Sequence, residues 1–464
     1  MMNNADIEVS SFRDPSGFIF YKNNIIYRQI NNHYKAEYEH LMNSGLYQKL
    51  VTENLLMSHK EVNVKPVLPN KSFKIIEPKR ISFISYPYEW SFTQLKDAAL
   101  LTLKIEKIAL EFDMTLKDAS SYNIQFVDDR PIFIDTLSFE KYHEGEGWKA
   151  YKQFCQHFVG PLALMSHTDI RLNQLFRVHI DGIPVDLTSK LLPFRTRFMF
   201  SLLSHIHLHA KSQKHYEGKN TNKKIKMNKR SFVGLIESLR SGIEKTKWNI
   251  DKTEWGDYYS ETNYSDSSLI EKKNIISKMI DSVNPKQVWD LGANTGLFSR
   301  LSSKKKIFTV SFDVDPAAVE KNYLDIKKNN DKNILPLILD LTNPSSNIGW
   351  ANEERKSFVQ RGPADLILAL ALIHHLVISN NVPLSKLADF FHRNCNNLII
   401  EFIPKSDSQV QRLLSTREDI FDEYDKENFE KYFKQYFNIV EIKNIEGSQR
   451  ILYQMQKLTN EHKI

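Results

Sequence analysis

The sequence predicts at least two domains, of which the C-terminal one belongs to the α/β fold class. The chain has 464 residues, more than a single domain usually contains. In its C-terminal part, short apolar segments alternate with amphipathic ones, a pattern typical of a parallel sheet with helices between the strands. A basic segment at 211–230, with almost nothing to bury, separates this part from the residues before it.

These observations divide the chain at the basic segment. We predict an N-terminal domain at 1–210, a linker with an amphipathic helix at 211–250, and a C-terminal domain at 251–464. The formal net charge is +7, and 211–230 holds eight Lys/Arg and one Glu, which leaves 55 basic and 55 acidic residues elsewhere. Charge therefore gives no reason to expect a nucleic-acid partner, and the linker is either solvated or touches an anionic surface.

Composition favours a globular protein of a reducing compartment. Hydrophobic residues make up 41% and charged residues 26% of the chain, which excludes a disordered or fibrous chain. The two cysteines, Cys155 and Cys395, stand in no metal-ligand spacing. The N-terminus lacks the pattern of a secretory signal, and the most apolar stretch, at 364–378, is too short for a membrane span. We therefore expect a cytoplasmic protein without a transmembrane segment.

The C-terminal domain is predicted strand by strand. Buried strands are expected at QVWDL, FTVSF, ILPLILD, ADLILAL and NLIIEFI, with helices that include 316–328 and 384–391. The segments FNIVEIK and RILYQMQK, with Gly447 between them, predict a closing antiparallel hairpin.

The first of these strands leads into a glycine-containing loop, VWDLGANTGLFS. Asp290 ends the strand, and Gly292 and Gly296 bracket a turn where the backbone can approach a ligand. Asp313 and Asp340 end the next two strands, at the carboxyl edge where open α/β sheets bind ligands.

Some of these residues have a plain structural alternative. Asp290 could cap a helix, and Asp340 could start the turn that follows it. A group of aromatic residues ahead of the first strand either covers the cleft or only packs: Trp255, Tyr258, Tyr259 and Tyr264.

The loop, the aspartates and the strand that leads to His374-His375-Leu376 together resemble class I S-adenosylmethionine-dependent methyltransferases. The resemblance covers roughly the last 210 residues and implies a Rossmann-like, mainly parallel seven-stranded sheet that binds S-adenosylmethionine. Gly292 and Gly296 would flank the methionine part of the cofactor, and Asn294 stands where many members have a glycine. A dehydrogenase, the rival, would show GxGxxG rather than this GxxxG.

The same resemblance implies a role for each aspartate. Asp290 would anchor the amino group of the cofactor, directly or through water. Asp313 would hold the ribose hydroxyls, and Asp340 would face the adenine.

Candidate bases follow the later strands. His374 and His375 come just after the fourth strand, and an imidazole suits removal of a proton from an acceptor hydroxyl. We expect only one of them to face the cleft, and capping of the strand is the alternative for both. Glu401 is a second candidate. The segment 369–372 lacks the motif of adenine-N6 DNA methyltransferases, which favours a small-molecule or glycan acceptor.

The N-terminal half contains Asp118, Asn123 and Asp135, with a hairpin predicted between the last two. This order resembles the catalytic segment of protein-kinase-like folds and implies an α+β domain. Asp118 would take the acceptor proton, and Asn123 and Asp135 would hold Mg²⁺ against ATP. Leu116-Lys117 replaces the usual His-Arg, and Asp135-Thr-Leu replaces Asp-Phe-Gly.

The front of the same domain is predicted from 12–30, where a glycine-containing turn and two strands are expected. A helix at 33–50, carrying Glu37 or Glu39, would follow, and 81–90 would form the last strand and hinge. Arg28 then stands at the usual Lys position, which puts phosphate transfer in doubt.

Across its full length the chain also resembles the NoeA-type nodulation methyltransferase group, through phrases such as FRDPSGFIF, LKDASSYNIQFV and IIEFIPKSDSQVQRLL. This implies modification of a glycan or another secreted metabolite. Kinase-plus-methyltransferase enzymes that cap bacterial O-antigen chains offer a parallel with the domain order reversed. Three hypotheses stay open: a methyltransferase whose N-terminal domain positions the acceptor or a partner, a bifunctional kinase–methyltransferase, and a non-catalytic binding protein.

Two smaller features remain. Arg195 and Arg197 are expected at a solvated or phosphate-facing edge. Four histidines at close spacing lack a carboxylate or cysteine to complete a metal site, so we expect a surface cluster of His205, His207, His209 and His215.

Overall fold

A computed structural model of the chain describes residues 6–216, 226–250 and 266–458. The chain forms two compact units. The N-terminal unit is Met1–Asn249 together with Asn347–Arg355, and the C-terminal unit is Ile250–Ser346 together with Lys356–Ile464. The N-terminal unit thus extends beyond the basic segment and takes in a short piece of later sequence, which the pattern of the sequence did not indicate.

The strands of the N-terminal unit form one five-stranded sheet and two short antiparallel pairs. In chain order they are β1 Asp6–Ile7, β2 Gly17–Lys22, β3 Ile25–Asn31, β4 His59–Glu61, β5 Ser72–Pro78, β6 Met114–Leu116, β7 Ile124–Val127, β8 Arg130–Phe133 and β9 Phe139–Lys141. The large sheet has the order β1-β2-β3-β5-β4, and each adjacent pair in it is antiparallel. β6 pairs with β9, and β7 pairs with β8.

The first hairpin differs in detail from the prediction of a glycine turn. β2 and β3 are joined at Asn23-Asn24, which both have positive φ, as a two-residue hairpin turn requires. Gly17 lies instead at the start of β2. A Cβ there would come within 2.2 Å of the Gln29 carbonyl oxygen, so only glycine fits against β3.

Two other predictions for this region are wrong. The helix expected at 33–50 is broken, because Gly45 adopts a left-handed φ of 89° between two shorter helices. The segment 81–90 forms no strand. It makes a short turn at Pro87–Glu89 in which Glu89 accepts a hydrogen bond from the Tyr86 backbone N–H at 2.9 Å.

The helices of this unit surround α3, whose residues are mostly buried. Ser91 caps its first turn, and Gln94 completes a capping box. The described α-helices are α1 Lys35–Asn43, α2 Leu46–Thr52, α3 Phe92–Glu111, α4 Tyr151–Phe154, α5 Gly160–His167, α6 Val185–Leu191, α7 Phe200–Leu202, α8 His209–Tyr216 and α9 Lys229–Lys245. α9 packs on α3, which is why the unit continues past the basic segment.

The C-terminal unit contains a seven-stranded sheet. Its strands are β10 Gln287–Leu291, β11 Phe308–Asp313, β12 Ile334–Ile338, β13 Ala364–Ala369, β14 Cys395–Phe402, β15 Phe437–Asn444 and β16 Ile451–Lys457. The order is β12-β11-β10-β13-β14-β16-β15, with the first five strands parallel and the last two antiparallel. The α/β class predicted for this region is confirmed.

Both faces of this sheet are buried, since neighbouring residues of β10 point to opposite sides. Val288 belongs to a core cluster with Ile276 and Met279, and Trp289 packs on Phe358 with ring centroids 4.9 Å apart. The described helices are α10 Asp266–Val283, α11 Ser299–Ser303, α12 Pro316–Asn329, α13 Leu384–Asn394, α14 Ser408–Leu414 and α15 Lys426–Lys434. None of the described helices, in either unit, is long and apolar enough to cross a membrane.

Candidate functional site

A cavity of about 490 Å³ lies at the carboxyl ends of the parallel strands in the C-terminal unit. It is lined by residues that follow β10, β11, β12 and β13, so the strand order brings distant parts of the sequence to one place. Among the residues predicted to bind the cofactor, the lining contains Asp290, Gly292, Asn294, Asp313 and Asp340.

The loop after β10 has the backbone that its glycines predict. Gly292, Asn294 and Gly296 have φ values of 75°, 51° and 79°. A Cβ on Gly292 would lie 3.2 Å from the Leu372 Cδ1 atom, and one on Gly296 would lie 2.6 Å from the Asn322 amide. The first glycine therefore keeps the cavity wall open, and the second lets the loop pack on α12.

Asp290 is a buried carboxylate at the wall of the cavity. One of its oxygens accepts a hydrogen bond from the Ser299 hydroxyl at 2.6 Å. Burial raises its pKa to about 7, and nearby Asp313 adds to the rise. The carboxylate also accepts a backbone hydrogen bond from Ser299, the first residue of α11, so the helix-cap alternative describes part of its contacts, although Phe298 is the residue that directly precedes the helix.

Asp313 holds the glycine loop against the end of β11. Its two oxygens accept the backbone N–H groups of Asn294, at 2.7 Å, and of Asp315, at 2.9 Å. Burial raises its pKa to about 6, although these hydrogen bonds act in the opposite direction. Backbone donors are neutral and leave the negative charge of Asp313 without a cationic partner.

Asp340 lines the cavity from the end of the β12 segment. One oxygen accepts hydrogen bonds from the Thr342 backbone N–H, at 2.8 Å, and from its hydroxyl, at 2.7 Å. Both bonds come from the residue two positions later, so Asp340 starts a turn, as the structural alternative for this residue predicted.

The two candidate histidines differ in their surroundings. His375 lines the cavity, whereas His374 is buried beside it, with ring centroids 4.1 Å apart. Burial lowers the pKa of His375 to about 4 and holds the pKa of His374 well below its ordinary value. Both rings are consequently neutral at physiological pH.

Glu401, the other candidate base, is held in a buried ion pair and is not among the residues that line the cavity, so its role as a base stays a prediction. One of its oxygens accepts hydrogen bonds from the Lys272 ammonium and from the Ala371 backbone N–H, each at 2.7 Å. Both ionic side chains are buried, at 0% and 2% side-chain exposure. Glu401 thus fixes the end of β13 and a lysine of the cavity wall.

Lys272 is a site residue that the sequence reasoning missed. It lines the cavity although it lies on the apolar face of α10, together with Ile276 and Met279. A lysine at helical spacing within an apolar face is the signal that could have identified it, because such a charge requires a buried partner.

A second cavity, of about 300 Å³, lies within the N-terminal unit. It brings together Asp118, Asn123, Asp135 and Arg28. Asp118 accepts hydrogen bonds from the Ser120 backbone N–H and from the side-chain amide of Gln153, both at 2.9 Å. Burial raises the pKa of Asp118, and Asp135 adds to the rise.

Asp135 is already neutralised by an arginine. It forms an ion pair with Arg28 and accepts a hydrogen bond from the Ser138 hydroxyl at 2.5 Å. Burial alone would raise its pKa, but Arg28 and the hydrogen bonds outweigh that effect and lower it. Glu37, which was predicted on the following helix, accepts the backbone N–H of Lys141 at 2.6 Å.

The segment Asn347–Arg355 supplies part of this second cavity. Two nitrogens of the Arg13 guanidinium donate to the two oxygens of Glu354, each at 2.7 Å. The Arg355 guanidinium lies 4.2 Å from the centre of the Tyr122 ring. The sequence reasoning assigned no role to these residues.

The histidines expected as a surface cluster are partly buried, which corrects that expectation. His205 lies between the Tyr151 hydroxyl, at 2.9 Å, and the Ser238 hydroxyl, at 3.0 Å. His207 is likewise held by Ser189 and Thr196. Within the described ranges, no group of three or more His, Cys, Asp or Glu side chains is arranged as metal ligands.

Some predictions fall outside the described residues. They concern most of the basic segment 211–230 and the aromatic residues Trp255, Tyr258, Tyr259 and Tyr264.

Comparison with known proteins gives one relative along nearly the whole chain. Nodulation protein NoeA of Rhizobium meliloti (strain 1021) is 35% identical over 459 residues, which cover 96% of this chain and 95% of that protein. No family model matches. Two solved structures are similar at lower levels. The bifunctional kinase-methyltransferase WbdD is 16% identical with a TM-score of 0.28, covering 41% of this chain and 40% of that one. The N-methyltransferase NodS from Bradyrhizobium japonicum WM9 is 12% identical with a TM-score of 0.30, covering 42% and 99%.

Proposed function

Since the chain belongs to the family of the nodulation protein NoeA, we propose that its C-terminal unit is an S-adenosylmethionine-dependent methyltransferase acting on a small-molecule or glycan acceptor. One observation carries the proposal: the strand-end cavity is lined by buried carboxylates whose hydrogen-bond donors are neutral. Such a cavity suits a ligand that is itself cationic and carries hydroxyl groups.

The residues of the cavity fit this cofactor. Asp290, with its raised pKa, regains a stable negative charge when an ammonium group lies beside it. Asp313 retains lone-pair capacity beyond its backbone hydrogen bonds and would accept a hydroxyl of a ribose. Asp340 would face the adenine, and the absence of a side chain on Gly292 leaves room for the methionine part.

The bound cofactor supplies a methyl group that is already activated. The protein then has to hold the acceptor nucleophile in line with it and exclude water, which is catalysis by proximity and orientation. His375 would accept a proton from an acceptor hydroxyl, which its neutral ring and its position in the cavity wall support. Glu401 and Lys272 act as positioning residues, because their ion pair holds the Ala371 backbone at the cavity wall.

A thermal-shift experiment tests the proposal on the full chain. S-Adenosylmethionine and S-adenosylhomocysteine are expected to raise the melting temperature of the parent protein. Gly292→Val should abolish both shifts, since its side chain would enter the cavity and strain a backbone with positive φ. Gly234→Val is the matched control, because a Cβ there meets no atom within 4 Å. A parent protein that responds to neither ligand would contradict the proposal.

A second candidate is a bifunctional kinase–methyltransferase acting on a bacterial glycan. The observation that favours it is the meeting of Asp118, Asn123 and Asp135 in one cavity. It predicts stabilisation by ATP with Mg²⁺ that is lost in Asp135→Ala while the response to S-adenosylmethionine is kept. A chain that responds to neither cofactor would instead be a non-catalytic binding protein.

A further inference from the structure

A surface of the N-terminal unit exposes several large apolar side chains close together. Phe194, Phe198 and Phe200 are 68%, 80% and 78% exposed, and Met199 is 43% exposed. We call these four residues the aromatic patch. Single exposed apolar residues are common on folded proteins, but three exposed phenylalanines within one short segment are unusual, and such a concentration of apolar surface typically marks a binding site.

The local structure holds the phenylalanines outward. Thr196, between them in the sequence, is buried, and its hydroxyl donates to the Pro193 carbonyl oxygen at 2.6 Å. His207 Nε2 lies 2.9 Å from the same hydroxyl. The Phe194 and Phe198 rings contact each other edge to face, with their centroids 5.6 Å apart. This segment therefore buries Thr196 and exposes its phenylalanines together with Arg195 and Arg197.

The charge beside the patch is positive. Arg195 and Arg197 lie between Phe194 and Phe198 in the sequence. The Arg197 guanidinium is 5.4 Å from the centre of the Phe194 ring. Neither arginine forms an ion pair with a carboxylate in the described part of the chain. The sequence soon continues into 211–230, with its eight Lys/Arg and one Glu. Aromatic side chains interleaved with basic ones are typical of segments that lie in the interface of an anionic membrane.

We propose that the aromatic patch docks this protein on an anionic phospholipid surface. The phenylalanine rings would enter the boundary between headgroups and acyl chains, and Arg195 and Arg197 would contact lipid phosphates. The charge argues against a second copy of the chain as the occupant, because a symmetric contact would bring like charges together.

Co-sedimentation of the full chain with vesicles tests this docking. We expect binding to vesicles of phosphatidylcholine mixed with phosphatidylglycerol, little binding to phosphatidylcholine alone, and loss of binding at high salt. The double variant Phe198→Ser, Phe200→Ser should bind the anionic vesicles at least about tenfold more weakly than the parent. Arg195→Gln, Arg197→Gln should weaken binding and reduce its dependence on salt.

Ile420→Ser provides the matched control. Ile420 is also an exposed apolar residue, at 63%, but it lies beside Asp419 and Asp422, so its replacement should leave vesicle binding at the parent level. All substituted side chains are exposed, and melting temperatures equal to that of the parent would show that the variants fold.

Three results would overturn the proposal. They are equal binding to neutral and anionic vesicles, unchanged binding by the phenylalanine variant, and no binding by the parent. A dimer in the parent that disappears in the phenylalanine variant, without vesicle binding, would make a second copy the occupant.

Discussion

Two cavities of this chain are lined by aspartates, and they differ in what balances the negative charge. In the N-terminal unit, Asp135 is paired with Arg28 and Glu354 with Arg13. In the C-terminal unit, Asp290 and Asp313 accept hydrogen bonds from a hydroxyl and from backbone N–H groups. The lysine that lines the C-terminal cavity, Lys272, is paired with Glu401.

The pKa values show the effect of this difference. Arg28 outweighs burial and lowers the pKa of Asp135, whereas burial raises the pKa of Asp290 to about 7 and that of Asp313 to about 6. Burial of a carboxylate thus costs free energy in both places, but an arginine offsets it only in the N-terminal unit. The C-terminal cavity is the one in which a cationic ligand has most to contribute.

The largest effect should come from releasing Lys272 into the C-terminal cavity. Glu401→Gln leaves a buried ammonium without its carboxylate, and we expect the free energy of unfolding to fall by about 3–5 kcal/mol. The freed lysine would also lower the pKa of Asp290 and weaken binding of S-adenosylmethionine. Chemical denaturation and calorimetric titration would measure the two effects.

Two variants serve as controls for that prediction. Lys272→Met combined with Glu401→Gln should recover most of the lost stability, because no unpaired charge stays buried. Asp389→Asn breaks an exposed pair with Arg393 and should cost less than about 1 kcal/mol. A Glu401→Gln protein as stable as the parent would show that Lys272 has another partner.

An intermediate effect is expected from pH. Because the pKa of Asp290 is higher in the folded chain than its ordinary value of about 4, the folded state binds the extra proton between about pH 4 and pH 7. The contribution of Asp290 to stability therefore falls as the pH rises through that window. A cationic ligand favours the carboxylate, so affinity for S-adenosylmethionine should rise about tenfold between about pH 5.5 and pH 7.

Calorimetric titration in buffers of different ionisation enthalpy would detect the proton released on binding. Asp313, with a pKa of about 6, should contribute to the pH dependence of binding in the same pH range. Asp290→Asn should bind weakly and with a flatter pH profile. An affinity that does not change with pH would mean that no cationic group of the ligand reaches these carboxylates.

The smallest effect is expected from removing the arginine of the N-terminal cavity. Arg28→Met would make Asp135 resemble Asp290 by leaving its carboxylate without a cation. Mg²⁺ alone should then raise the melting temperature by about one or two degrees, while the parent shows less response. Arg28→Met, Asp135→Asn is the control and should lose the gain. An equal response of the parent and Arg28→Met would show that the ion pair does not compete with the metal.

Local patterns explain why much of the architecture could be predicted. The strands of the C-terminal sheet and the loop from Asp290 to Gly296 are marked by apolar runs and glycines that lie close together in the sequence. The aspartates at the strand ends follow from the same runs, because parallel strands place their carboxyl ends at one edge.

The ion pairs could not be predicted in this way. Arg28 and Asp135 are 107 residues apart, Lys272 and Glu401 are 129 apart, and Arg13 and Glu354 are 341 apart. Each pair forms only through tertiary packing, so the local pattern of the sequence cannot predict it. The segment 81–90 shows the opposite failure. Its apolar composition fits a strand, but the segment ends in a buried, proline-containing turn at Pro87–Glu89.

The segment Asn347–Arg355 has a consequence for any attempt to divide the protein. Since these residues belong to the N-terminal unit, the polypeptide leaves that unit after Asn249, returns to it about a hundred residues later, and leaves again. If the chain is divided after Asn249, the first fragment lacks Glu354 and Arg355. The second fragment carries nine residues that pack in the other unit. The two halves are thus discontinuous in sequence, and neither can be expressed intact as a single uninterrupted fragment.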